Sequence, residues 1–213
     1  VVPCQSALAL ALAVLVNAKV KGVTVFRTMI FMPVVTSMVV VSILWSFFYE
    51  ENGLFNSVLN TVTGGAWTAI AWLNNPGTAM PAIILLSIWQ AVGLHMIIWL
   101  SGLQGIDPAL YEAADLDGVN GWQRFRYVTW PGLHSTMVFI LVTITIAALG
   151  LFVQVDVMTS GGPQDATSTL VYHAVRKGYR EQDMGYGSAI SLIFFLAVLV
   201  ISLVQRRLTR EKD

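Results

Sequence analysis

Apolar positions along this chain do not alternate or recur at helical spacing; they run together. Five long runs, at about 1–17, 28–49, 81–103, 134–155 and 186–204, are separated by shorter polar segments. The last four contain no Lys, Arg, Asp or Glu. A hydrocarbon core of about 30 Å is crossed by about 20 helical residues, and backbone groups in lipid find partners only within helices or closed barrels. The pattern therefore predicts an all-α, polytopic transmembrane helix bundle with five spans. The β-branched stretch MVVVSI favours a strand in water, but its setting in a long uncharged run outweighs that propensity.

Composition agrees: 56% of residues are hydrophobic and 11% charged, with mean hydropathy +0.70, against roughly 25% charged in a soluble domain. Lipid is the first partner implied. Net charge is zero, so the balance points to no nucleic acid, and location matters more than number. One cysteine, Cys4, and three scattered histidines at 95, 134 and 173 suggest no metal site. The chain begins without Met or a basic leader, and is expected to be a single domain over 1–213 that lacks its N-terminal part.

Basic residues set the expected orientation. Lys19, Lys21, Arg27, Arg124, Arg126, Arg206, Arg207, Arg210 and Lys212 all fall on one side of a five-span topology, nine of the twelve. That side is predicted to be cytoplasmic, with the C-terminus and the 104–133 loop on it. The opposite loops are 50–80, which has no basic residue, and 156–185, which holds Arg176, Lys177 and Arg180. The first, with Phe55, Leu59, Trp67 and Trp72, reads as interfacial backbone with aromatic anchors. The second reads as a Gly161-Gly162-Pro163 turn, then a helix capped by Thr167, with one face of Leu170, Val171, Ala174 and Val175 and an end at Gly178. Its basic end either docks a partner or covers the bundle.

Within 104–133, Asp107 before Pro108 is a helix start, Gly118 suits a left-handed turn, and Asn120 with Gln123 forms a capping box for a second helix presenting Trp122, Phe125 and Val128. Pro131 breaks or kinks the entry to the next span. Ala113 and Ala114 keep the first helix slim, while Glu112, Asp115 and Asp117 are free to meet arginines of another protein. The unit reads as a docking lever; a loop resting on headgroups is disfavoured by its acidity. Polar groups inside spans mark a solute path or hold helices together. The candidates are Trp45, Gln90, His95 and Gln154, with Asp156 at the mouth.

The spacing of Glu112, Ala113, Ala114, Gly118, Val128, Trp130 and Pro131 resembles the EAA loop of binding-protein-dependent ABC importer permeases, with Trp130 where that family usually has Leu. FRTMIFMPVV at 26, ENGLFNSVLN at 51, TSGGPQDAT at 159 and GYGSAIS at 185 look like its sugar-transporting, maltose-type branch. The resemblance implies a type I permease fold in a bacterial or archaeal cytoplasmic (inner) membrane. It also implies a second homologous permease subunit, two cytoplasmic ATPase subunits that bind the ATP and Mg, and an extracytoplasmic solute-binding protein. The solute implied is a sugar or polyol, with glycerol-phosphate compounds as the alternative. Glu112, Ala113, Ala114, Asp115, Asp117, Gly118 and Pro131 become the coupling residues, and Gly161, Gly162, Pro163, Arg176, Lys177 and Arg180 the candidate receptor contacts. The chain has no GxxxxGK[ST] loop and hence no ATP site of its own. An ion-coupled transporter would carry an intramembrane carboxylate, which the four complete spans lack.

Overall fold

The computed structural model describes residues 1–17 and 22–208; Lys19, Lys21, Arg210 and Lys212, on which part of the orientation argument rests, lie outside them. The described residues form helices α1 (Val2–Asn17), α2 (Val23–Val35), α3 (Met38–Phe48), α4 (Leu54–Val62), α5 (Pro76–Gln104), α6 (Pro108–Leu116), α7 (Gly121–Arg124), α8 (Trp130–Gly132), α9 (His134–Leu149), α10 (Val153–Met158), α11 (Leu170–Val175) and α12 (Met184–Leu208). Two π-helical turns, Phe125–Thr129 and Arg176–Arg180, follow α7 and α11.

Three of the five expected spans are present as long apolar helical segments: α5, His134–Met158 and α12. The expected span 28–49 is broken rather than straight: α2 and α3 together are long and apolar enough to cross, with a bend of 97° at the break. Pro33 lies inside α2, removing one backbone donor and crowding the preceding turn, and Ser37 then takes an extended conformation at the start of α3. The expected 134–155 span is also interrupted, between α9 and α10. Leu151 leaves the helix there, and its carbonyl accepts a 2.6 Å bond from the Thr169 hydroxyl. Helix α1, with 16 residues, is shorter than a typical spanning helix.

The chain divides into two compact units. One comprises Val1–Val34, Ala91–Ile146 and Val200–Asp213. Its core gathers Ala9, Ala13, Met96, Trp99, Leu133 and Ile140. Small residues set the helix spacing: a Cβ on Gly93 would lie 2.3 Å from the Ile30 carbonyl oxygen, and one on Gly102 would lie 2.5 Å from Thr136 Oγ1. Without a hydrophobic drive inside lipid, such close approach supplies the packing.

The other unit comprises Val35–Gln90 and Ala147–Leu199. Val41, Trp45, Tyr49, Ala82 and Leu86 form one cluster, and Ile83, Leu151, Val155 and Tyr172 a second. The 50–72 stretch is held by Asn56, which is buried. Its Oδ1 accepts from Trp67 Nε1, Trp72 Nε1 and the Ile70 amide, while its Nδ2 donates to the Glu50 and Ile70 carbonyls. The expected aromatic anchors Trp67 and Trp72 are thus tied to the fold by their polar edges.

Candidate functional site

The 104–133 segment folds as its punctuation dictates. Asp107 Oδ1 accepts from the Ala109 amide at 2.9 Å, and Pro108 occupies the first turn of α6. The helix stops at Leu116, and Gly118 follows at φ +70°, a conformation that carries no steric cost for glycine. Asn120 and Gln123 then exchange side chain to backbone bonds of 2.9 Å each, which fixes the start of α7. The π-turn Phe125–Thr129 leads into Trp130–Gly132. Pro131 sits in the first turn of that short helix, so the break before α9 falls at Leu133.

Ala114 faces inward, and Tyr111 meets Thr129 Oγ1 at 3.1 Å. Outward, Ala109, Glu112, Ala113 and Leu116 are exposed and lie at the i, i+3, i+4, i+7 spacing of a single helix face. This face is slim at two alanines, carries a carboxylate with no ion pair among the described residues, and ends in Leu116, which is 89% exposed. Leu116 is absent from the sequence-based set, although its position four residues after Glu112 is the signal that places it there. The expectation that all three acids await a partner is corrected. Asp115 pairs with Arg124 at 3.1 Å, bridging α6 and α7; Glu112 and Asp117 remain uncommitted.

Three of the four candidate solute-path residues are buried within their own units. His95 is buried, with Gln5 Nε2 3.1 Å and the Ala91 carbonyl 3.0 Å from its Nδ1; it joins α1 to α5. Gln154 is buried and donates to Ser87 Oγ at 3.3 Å. Trp45 is buried among Trp89, Phe55 and Tyr49, with ring centroids 5.2, 5.5 and 5.7 Å away, so its faces are spent on packing. Gln90 is half-buried.

The 156–185 segment departs further from expectation. Thr167 does not cap a helix. It is buried, donates to the Gly162 carbonyl at 2.8 Å and meets Thr159 Oγ1 at 2.7 Å. Thr169 caps α11 instead, accepting from the Tyr172 amide. Gly161 is buried under the Tyr172 ring. Gly178 does not end the helix but lies inside the π-turn, where Gly187 packs onto it. The basic end is paired within its own segment: Arg176 with Asp165 and Glu181, Lys177 with Glu181, and Arg180 with Asp156. The hydrogen bond from Lys177 holds the Glu181 carboxyl below its ordinary value, and the one to Asp165 holds the Arg176 guanidinium above its own.

Residues 5–212 match the family described as binding-protein-dependent transport system inner membrane component. The chain belongs to this family. It is 37% identical to the lactose transport system permease protein LacF of Rhizobium radiobacter, over 99% of this chain and 72% of that protein. It is 32% identical to the arabinooligosaccharides transport system permease protein AraP of Bacillus subtilis, over 94% of this chain and 64% of that protein. The fold is that of a chain in the crystal structure of a bacterial alginate ABC transporter in complex with an alginate pentasaccharide-bound periplasmic protein. The TM-score is 0.85 at 24% identity, covering all of this chain and 75% of that one. The permease family sets aside the ion-coupled alternative.

Proposed function

We propose that this chain is one of two membrane subunits of an ABC importer for a sugar or oligosaccharide delivered by an extracytoplasmic binding protein, with ATP and Mg held by two cytoplasmic ATPase subunits. The observation that carries the coupling role is the outward face of α6, where Glu112 stands unpaired between small residues beside Leu116. A narrow face admits a partner's backbone, and an uncommitted carboxylate offers its cation a charge-assisted bond. The 104–133 segment faces the cytoplasm in this reading. The three basic residues on the other side are compatible with it, because each is already neutralised by a carboxylate of the same segment. The sugar assignment draws on the lactose and arabinooligosaccharide relatives, which favour it over glycerol-phosphate compounds.

Removing one side of a hydrogen-bonded interfacial charge pair costs about 2–5 kcal/mol. In the assembled complex, Glu112→Ala is therefore expected to abolish most solute uptake and the response of ATP hydrolysis to the binding protein, while the spans remain inserted. Glu112→Arg combined with an acidic replacement of the partner's cation recovers part of the loss. Uptake at the unaltered level in Glu112→Ala would remove the coupling assignment.

A further inference from the structure

The first unit contains a cavity of about 370 Å³ beside the 104–133 segment, within the roughly 300–1,000 Å³ range of small-molecule sites. Its wall has two chemistries. Val14, Leu103 and Phe125 supply apolar surface, while Asn17, Arg124 and the linked hydroxyls of Tyr111 and Thr129 supply polar groups. Asn17 is the last residue of α1, and Leu103 is one residue short of the end of α5. The cavity thus opens where apolar helices give way to polar chain, the depth at which a bilayer changes from acyl chains to headgroups.

We infer that this cavity binds the phosphate of an anionic membrane phospholipid, with an acyl chain against Val14, Leu103 and Phe125. Arg124 lines the cavity, whereas its partner Asp115 does not. The Arg124–Asp115 contact is made through Nη1 alone, and a guanidinium carries five N–H donors in a planar fork suited to two phosphate oxygens. The Tyr111 and Thr129 hydroxyls share one hydrogen bond, so one of their protons is left to donate to the same anion. A soluble anion would satisfy these donors and leave the apolar wall wet. A lipid satisfies both and, by gripping Arg124, ties α7 to the membrane. The site stands apart from the coupling role, since it is read out by bound lipid rather than by ATP hydrolysis.

The test uses the whole transporter complex, purified from bilayers of phosphatidylcholine with phosphatidylglycerol, washed with detergent and assayed for retained lipid by native mass spectrometry. Wild type is expected to retain phosphatidylglycerol in preference to phosphatidylcholine, and millimolar inorganic phosphate to leave it in place. Arg124→Gln should weaken retention roughly tenfold, the worth of about one hydrogen bond to a charged group. Gly121→Leu should weaken it similarly by filling the cavity, because a Cβ at Gly121 meets nothing within 4 Å and the change leaves every charge in place. Asp115→Asn frees the guanidinium and should retain lipid at least as well as wild type, and Arg206→Gln, outside the cavity, should match wild type. Undiminished retention in Gly121→Leu, an equal loss in Arg206→Gln, equal retention of both lipids, or displacement by inorganic phosphate each overturns the lipid site.

Discussion

Among the described residues, the 104–133 segment holds four carboxylates and two arginines and closes one ion pair, Asp115–Arg124. The 156–185 segment holds four carboxylates and three basic residues and closes four ion-pair contacts, leaving none of its three cations unpaired. Their glycines differ in the same sense. Gly118 is needed for a backbone angle and has open space where a side chain would go, whereas Gly187 has an ordinary backbone and no space at all. One segment keeps its chemistry on the outside, and the other consumes it internally. A surface that leaves a carboxylate unpaired between alanines is open to a charge from outside; one that neutralises itself is held in shape by its own ion pairs.

That contrast is broken most severely at Gly187. A Cβ there would meet the Gly178 Cα at 2.8 Å and its amide nitrogen at 2.9 Å, and backbone does not yield as a side chain tip does. Gly187→Ala is expected to cost about 1–3 kcal/mol, the range for overpacking a close contact, and to lower the thermal midpoint of the purified complex. An unchanged midpoint would show that α12 and the π-turn are not held together at this point.

Gly118 should respond to backbone demand rather than to size. Gly118→Val places a β-branched residue at φ +70°, a strain of about 1–2 kcal/mol, which depopulates the turn by roughly 5–30-fold. Uptake falls while the amount of assembled complex is unchanged. Gly118→Asn, which tolerates the left-handed region, should transport nearly as wild type. If Val and Asn are equally harmful, space and not the backbone angle governs this turn.

The sequence made the 104–133 segment legible because its structure is local. Asp107, Gly118 and the Asn120–Gln123 box each act within three residues of themselves, so spacing alone identifies them. The 156–185 segment was not legible for the opposite reason. Arg180 meets Asp156 across 24 positions, and Arg176 meets Asp165 across 11, pairings that exist only once the chain has folded back. Thr167 reads as a cap because it precedes an apolar stretch, but Thr169 does so as well, and local pattern does not rank them. The bend between α2 and α3 is hidden because no charge interrupts the apolar run through it, and only Pro33 and the polar pair Thr36–Ser37 mark its position. Asn56 is likewise illegible: the second of two Asn in ENGLFN reads as turn material until Trp67 and Trp72 are seen to share its oxygen.

The smallest effect concerns pH and separates the two segments without mutating a glycine. The Glu181 carboxyl is held below its ordinary value first by the hydrogen bond from Lys177, with Lys177, Arg176 and His173 adding attraction and partial desolvation opposing it. A depressed carboxyl pKa stabilises the fold above the unfolded value of about 4.3, and the contribution disappears as pH falls through the folded value. Arg176, shifted the other way, stays charged throughout, so the sensitive window is acidic. A spin label on Tyr179→Cys, which replaces an exposed residue, with Cys4 also substituted, should gain mobility as pH falls below the ordinary glutamate value of about 4.3. Glu181→Gln should show that mobility already at neutral pH and little further change. Salt should reduce the difference between them, as it does for ion pairs near solvent. If the wild-type label is equally still across the range, the ion pairs of the 156–185 segment contribute nothing to its rigidity, and the buried Thr167 and Tyr172 contacts hold it alone.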